Sequence, residues 1–435
     1  MEPLDNPIRR HAWGSRTVIA ELRGRPTPSP TPEAEMWLGA HPGDPSLLVA
    51  ADGRTRSLLD EVDEDPVGRL GAHGAHRWDG RLPFLLKVLA ADRPLSLQVH
   101  PGEADARAGF DRENAAGIPI DAPHRNYRDA NHKPELICAL TEFHALSGFR
   151  PPAESLALLR ALGLTELARR LAPAAERPGP ARLRAVAADW LTMPRDRLDR
   201  LVPELREACA GLLGRCGPGA TFRAEAATLL ELADRYPGDP GVLAAALLNR
   251  VTLAPGEALY QGRGVPHAHL SGACIEVMAS SDNVLRGGLT GKHVDVPELL
   301  RVLDFRAGPA HVLRGRTDGA ATRFDTPAEE FRLWRLDWRR ASTPAPLPVG
   351  GPRIALCTEG TVRIAAEAGR VTVLRRGDSV WLDAGDRSVT AAADGGPARL
   401  FLAADGTEPV RERAEALVPA SRRGHTTDAA RHILT

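Results

Sequence analysis

The period of the apolar positions changes along the chain, and each change marks a unit. Residues 1–150 read as short strands and turns with a few helical turns. In "LPFLLKVLAADRPLSLQVHP" (82–101) a continuous apolar run gives way to strict alternation. Leu95, Leu97 and Val99 point one way there and Ser96, Gln98 and His100 the other, because strand side chains alternate with period two. From 151 to 240 the period becomes helical. Leu156, Leu159, Leu162 and Leu167 form one stripe, and Leu198, Leu201, Leu205, Cys209 and Leu212 a second. "FRAEAATLLELADRYPGDPG" predicts a third helix, closed by Pro and Gly. These stripes predict core packing. Strand signals return in "ALLNRVTLAPGEALYQGRGVPHAHLSGACIEVMASSDNV", and "VPELLRVLDF" predicts a short helix after it. Residues 241–310 are therefore expected to complete the unit begun by residues 1–150, with 151–240 as a helical insertion. Beyond 311, "FRLWRLDWRR" alternates and "TVRIAAEAGRVTVLRRGDSVWLDAG" reads as three strands joined by turns. Residues 311–435 thus predict a second β unit, a sandwich or jelly roll, ending in the polar tail "SRRGHTTDAARHILT".

Length and composition agree with several folded units. A chain of 435 residues exceeds what one core holds, and 43% hydrophobic with 26% charged residues is globular rather than disordered. Net charge is zero, so no global field draws nucleic acid or an anionic membrane; neither is an expected partner. "MEPLDNPIRRHAWG" has no apolar signal region, and no apolar run nears the roughly 20 residues of a spanning helix. Five cysteines without CxxC spacing argue against a disulfide framework, so a cytoplasmic location is expected. Of 56 Lys and Arg residues only Lys87, Lys133 and Lys292 are lysines. Arginine cannot replace a lysine that must deprotonate or act as a compact point charge. The three survivors are therefore candidate functional residues, against the plainer reading of chance.

Two histidines stand one residue apart in "GVPHAHLSGACIEV", with Glu276 seven residues after the second. His267, His269 and Glu276 could hold iron for oxygen chemistry as an N/N/O set. The cupin pattern, however, has its Glu four or five residues after HxH, so this spacing is off-pattern. Elsewhere, Gln98 and His100 share a face. In "NHKPE" Pro134 enforces an extended chain. Lys133 and Glu135 then share a face while His132 points to the other; alone, they read as a surface ion pair.

Taken together, "HAWGS", "AEMWLGAHP", "PFLLKVL", "LSLQVHP", "NHKPEL", "LSGFRP" and "PGEALYQGRGVPHAHLSGACIEVMASSDNVLRGGLTGKHVDV" resemble the type I mannose-6-phosphate isomerases of the cupin superfamily. The segments run in family order from residue 11 to residue 296. The combination of "LQVHP", "NHKPE" and "SDNVLRGGLT" is highly specific. The resemblance implies a mainly β fold of two cupin-type jelly rolls plus an α-helical domain. It implies one zinc per chain, held by Gln98, His100, Glu135 and His267, and a phosphorylated sugar as substrate. Gln is an unusual neutral ligand, and with one Glu it leaves the metal a net positive charge. The family's active-site arginine falls on Arg286. Lys87, Lys133 and Lys292 all fall on family positions.

The implied reaction interconverts mannose 6-phosphate and fructose 6-phosphate through a cis-enediol. Its base needs a pKa near neutrality. Lys133 is a candidate, with Glu276 and zinc-bound water as rivals, and His132 is a candidate for ring opening. The phosphate, with roughly two negative charges at pH 7, has Arg286, Lys292, Lys87 and Ser96 as expected partners, and Trp13 of "HAWGS" is an expected wall. Two positions depart from the family. "PHAHL" puts His269 where a tyrosine is usual, so His269 is expected to line the pocket. "GLTGK" replaces "GLTPK". A monomer is expected. The rival readings are a cupin dioxygenase with iron on His267, His269 and Glu276, and a non-catalytic sugar-phosphate-binding cupin.

Overall fold

A computed structural model describes residues 1–339, 343–348 and 350–407; the predicted polar tail lies outside these residues. One long strand, His267–Ala279, organises the first unit within an 11-stranded sheet. Its first part pairs with Leu97–Val99 and Phe143–Phe149, and its last part with Phe84–Ala91 and Glu135–Ala139. The pivot is Gly272, at φ +110, where a Cβ would lie 2.4 Å from the Glu142 carbonyl oxygen. Only glycine adopts that conformation at that approach without strain. The register also slips between His269 and Ser271. A bulge of this kind inverts which face the following side chains occupy. His269 and Glu276, an odd number of residues apart, can then both face the interior.

Phe84–Ala91 is buried along its whole length. Leu89 and Ala91 pack inward with Ile137, Phe143 and Cys274. Leu86, Val88 and Ala90 pack outward beneath Phe324, Phe331, Ile354, Trp381 and Phe401. With both faces covered, the strand reads as a continuous apolar run instead of alternating. Lys87 keeps the parity of Leu89 and Ala91, so its charge points into the interior.

Beyond residue 311, a nine-stranded and a four-stranded sheet enclose a separate apolar core. Three strands from the start of the chain depart from the expected division. Glu2–Asp5 pairs with Ser379–Leu382 and with Leu47–Val49, which pairs with Thr55–Ser57, so all three extend the nine-stranded sheet. Leu4 and Leu48 are buried by this pairing, and the Met1 ammonium lies 2.8 Å from Asp386. Strands of three or four residues carry no local signal for which sheet they join.

Six helices, Pro152–Ala161, Thr165–Glu176, Pro180–Leu191, Arg195–Arg215, Arg223–Arg235 and Pro240–Ala245, form the helical region. Three begin with proline, whose fixed φ and missing N–H suit the first helical position. The stretch predicted as one leucine stripe over 156–167 is two helices, separated where Gly163 turns to φ +75. Pro180–Leu191 was not predicted; its anchor is the fully buried Trp190. This region shares one core with Leu97, Val99 and Leu285 of the first unit.

Among the ion pairs that cross between the units is that from His132 Nε2 to Glu330 Oε1. Burial lowers the His132 pKa, but the Glu330 hydrogen bond and charge outweigh it and the net shift is upward. Its stabilisation is complete below the ordinary imidazole value of about 6.5 and disappears as pH rises through the raised value. Glu330 is shifted downward, so its share is present above the usual carboxylate range. Thermal melts of His132→Gln should therefore fall below wild type near about pH 5.5 and converge with it by about pH 8.5. A gap of constant size across that range would mean that the tie carries no charge.

Candidate metal centre and active site

Three side chains from separate strands or strand ends meet in the interior. His100 follows Leu97–Val99, Glu135 begins Glu135–Ala139, and His267 begins the long strand. Their potential ligand atoms lie within 4.8 Å of one another, and all three residues are buried. His100 Nδ1 lies 2.9 Å from the Asn283 carbonyl oxygen, and His267 Nδ1 lies 2.9 Å from that of Val265. A carbonyl only accepts, so each Nδ1 carries the proton and each Nε2 presents a lone pair. Those lone pairs face the Glu135 carboxylate, 3.1 Å from His100 and 3.5 Å from His267. His100 Nε2 is buried with no hydrogen-bond partner. Burial pushes the His100 pKa down to about 4, so its imidazole is neutral at physiological pH. Burial would raise Glu135, but the Lys133 ammonium beside it holds it well below the usual carboxylate range. Converging lone pairs around one anion, with backbone carbonyls fixing both tautomers, fit a bound metal cation. Gln98 stands opposite His267 in register, and its Nε2 donates to Ser96 Oγ at 3.2 Å. Its carbonyl oxygen is left as an acceptor.

A second group, Glu135, His269 and Glu276, also has ligand atoms within 4.8 Å of one another. The off-pattern spacing of Glu276 is overcome by the bulge and the Gly272 pivot. Other partners already occupy this group. Lys87 Nζ sits 3.0 Å from Glu276, 4.0 Å from Glu35 and 5.4 Å from the centre of the Trp37 ring. Lys133 Nζ donates to Glu135 at 2.8 Å. His269 Nε2 faces the Gln261 amide nitrogen at 3.5 Å, and its ring meets Phe143 edge-on. Lys87 already neutralises Glu276, the carboxylate that belongs to this group alone, which leaves the His100 and His267 side of Glu135 as the place for a cation. His267, His269 and Glu276 do not form one ligand set among the described residues, which corrects that alternative.

Burial alone would depress Lys87, yet Glu276 and Glu35 reverse this and raise it above the ordinary lysine range. Lys87 is thus a fixed cation and not a base. Burial pushes Glu276 up. Lys87→Met would leave two buried carboxylates without a counter-charge. Breaking such a pair costs about 3–5 kcal/mol, so urea unfolding should show a loss of that order. Adding Glu276→Gln should recover part of it; no recovery would place the Lys87 contribution elsewhere.

Arg286 pairs in register with Gln98, which places it one strand from the metal group. Burial and the nearby Arg128 lower its pKa. Lys292 is lowered by burial, Arg286 and Arg128. Arg286, Lys292 and Arg128 thus act on one another as like charges, and none has a carboxylate in ion-pair contact among the described residues. Like charges so placed favour a bound anion.

The family model for the phosphomannose isomerase type I catalytic domain matches residues 1–152. The mannose-6-phosphate isomerase of Escherichia coli is 38% identical, covering 92% of this chain and 99% of that one. The human enzyme is 30% identical over 88% and 93% of the two chains. The chain belongs to the mannose-6-phosphate isomerase family. A solved phosphomannose isomerase mutant from Salmonella typhimurium superposes with a TM-score of 0.84 at 36% identity, covering 94% of this chain and all of that one. A structure described as mannose 6-phosphate isomerase, holo and zinc bound, gives 0.83 at 36% identity over 93% and 99%.

As a mannose-6-phosphate isomerase family member, the chain gathers Gln98, His100, Lys133, Glu135, His267, His269, Glu276 and Lys87 around one interior. Ser96 adjoins Gln98. Trp13 stacks on His11 and packs against the same interior core. His132 is not part of this group: its Nε2 is engaged by Glu330. Four residues were given no role by sequence reasoning. Glu35 and Trp37 lie within the quoted "AEMWLGAHP" without any spacing signal. Arg128 is one arginine among 53. Gln261 is fully buried with an unpartnered carbonyl oxygen, and a polar residue at an inward strand position was its only signal.

Proposed function

We infer that this protein is a zinc-dependent aldose–ketose isomerase interconverting mannose 6-phosphate and fructose 6-phosphate through a cis-enediol. The observation that carries the site assignment is the pair of buried imidazoles aimed at one carboxylate, beside three cations with no carboxylate in ion-pair contact among the described residues. Gln98, His100, Glu135 and His267 would hold the zinc. When bound, zinc supplies positive charge that stabilises negative charge developing on substrate oxygen. Arg286, Lys292 and Arg128 bind the phosphate, which orients the sugar chain toward the interior. Lys133 moves the proton between C1 and C2, since an amine can release and regain a proton where a guanidinium cannot. Glu276 and Lys87 form a fixed buried pair that shapes the field at the reacting carbons. His269, Trp13 and Ser96 line the pocket, with Gln261 holding the His269 ring. His132 has no part in this reading.

All these groups come from one chain, so a monomer suffices. Among the described residues no helix is long and apolar enough to cross a membrane. All five cysteines are free thiols, which favours a reducing cytoplasm.

The test is conversion of mannose 6-phosphate in a coupled assay. Activity should disappear on chelation and return with zinc, and Arg286→Ala should raise KM tenfold or more, on the order of one lost charge-assisted bond. Tight sugar binding without turnover in the zinc-loaded protein would reduce it to a binding protein.

A further inference from the structure

The segment from Arg286 to Lys292 has an unusual backbone. Gly288 sits at φ +120, and Leu289, which is buried, follows at φ 56. A leucine in the left-handed region costs on the order of 1 kcal/mol or more, so surrounding contacts must enforce it. Those contacts come from the helical region. Asp239 caps the helix Pro240–Ala245, accepting from Gly241 N through Oδ1 at 2.7 Å. Its second oxygen, Oδ2, accepts from the backbone N–H of Thr290 at 3.3 Å. Thr290 Oγ1 in turn accepts from Lys292 N at 3.1 Å. Two glycines permit this approach. A Cβ on Gly288 would lie 2.5 Å from Asp239 Oδ1 and 2.7 Å from Gly241 Cα, and one on Gly241 would lie 2.9 Å from Gly288 Cα. The chain here is fitted backbone to backbone, with the carboxylate bridging the two regions.

We propose that Asp239 is a positioning residue for phosphate binding: the helical region, through this one carboxylate, sets the conformation of the loop that holds Arg286 and Lys292 against the substrate. This rests on the assignment of those two cations as phosphate partners. It also gives the helical region a role in substrate affinity, although it contributes no residue to the metal group. Asp239 lies outside the metal group, and among the described residues its carboxylate bonds only the backbone N–H groups of Gly241 and Thr290, so its removal should weaken binding and leave the chemical step alone.

The two hydrogen bonds can be separated. Asp239→Ser keeps a short oxygen able to cap the helix but cannot reach Thr290 as well. In the zinc-loaded full-length protein, Asp239→Ser should raise KM for mannose 6-phosphate about tenfold and weaken competitive inhibition by inorganic phosphate in parallel. Its kcat should stay within about twofold, with zinc content and melting temperature near wild type. Gly288→Ala, which displaces the same loop from its other side, should shift KM and the inhibition constant in the same direction. Unchanged KM and phosphate inhibition in Asp239→Ser would overturn the proposal, as would a fall in kcat equal to the rise in KM. Lys292→Ala in the same assay identifies which idea fails. If it leaves phosphate inhibition intact, the phosphate assignment itself is wrong. If it weakens inhibition and Asp239→Ser does not, only the role of Asp239 is wrong.

Discussion

His267→Ala is expected to purify without zinc and with kcat/KM at least about 10³-fold below wild type, whereas His269→Ala keeps its zinc. The two residues are two apart on one strand, both buried, and both near Glu135. Their surroundings separate them. His267 has Nδ1 tied to the Val265 carbonyl and its Nε2 turned to Glu135. His269 has Nε2 turned to Gln261, and Glu276 on its side is neutralised by Lys87. A cation at the second group would face the Lys87 ammonium in addition to that of Lys133, in a low-dielectric interior where like-charge repulsion amounts to several kcal/mol. Loss of zinc removes its stabilisation of charge on substrate oxygen, about 4 kcal/mol or more, which corresponds to the stated factor. Metal analysis of the two purified variants decides the matter. Equal loss of zinc in both would move the metal toward Glu276 and refute the ligand set.

Lys133→Arg is expected to keep its zinc and bind substrate while losing roughly 10²–10⁴ in kcat, the usual contribution of a positioned acid–base group. Lysine and arginine both carry charge, so the field and the hydrogen bond to Glu135 can survive the exchange. What arginine cannot do is give up its proton and take it back. Lys87→Arg is the contrast. Lys87 is held charged by Glu276 and Glu35, so this exchange affects packing rather than proton transfer and should cost far less in kcat. Exchange of the substrate C2 proton with solvent deuterium, followed in both variants, checks the assignment. Wild-type exchange in Lys133→Arg would remove Lys133 as the proton carrier and leave Glu276 and zinc-bound water as the alternatives.

Much of this site was legible before any fold was known. The scarcity of lysine singled out Lys87, Lys133 and Lys292, and all three lie at the site or its cationic rim. Period-two alternation put Gln98 and His100 on one face, and Pro134 fixed Lys133 and Glu135 on another. His132, expected to point to the other face yet named as a candidate for ring opening, is engaged by Glu330. The helical region was readable from its leucine stripes, although the break at Gly163 was not, because a single glycine in a helical pattern is often tolerated.

What the sequence by itself determined is the inventory: the residue types that can ligate a metal, carry a fixed charge or move a proton, and which of them share a face locally. These follow from side-chain chemistry and from strand and helix periods, which are properties of a few consecutive residues. The tertiary structure alone decided the pairing between distant strands. The bulge after His269 and the pivot at Gly272 turned Glu276 inward, and Lys87 then claimed it. Register set Gln98 opposite both His267 and Arg286. The first strand joined the last sheet because burial of Leu4 and Leu48 was available there. Long-range contacts of this kind are selected by the packing of the whole chain, so no short segment encodes them.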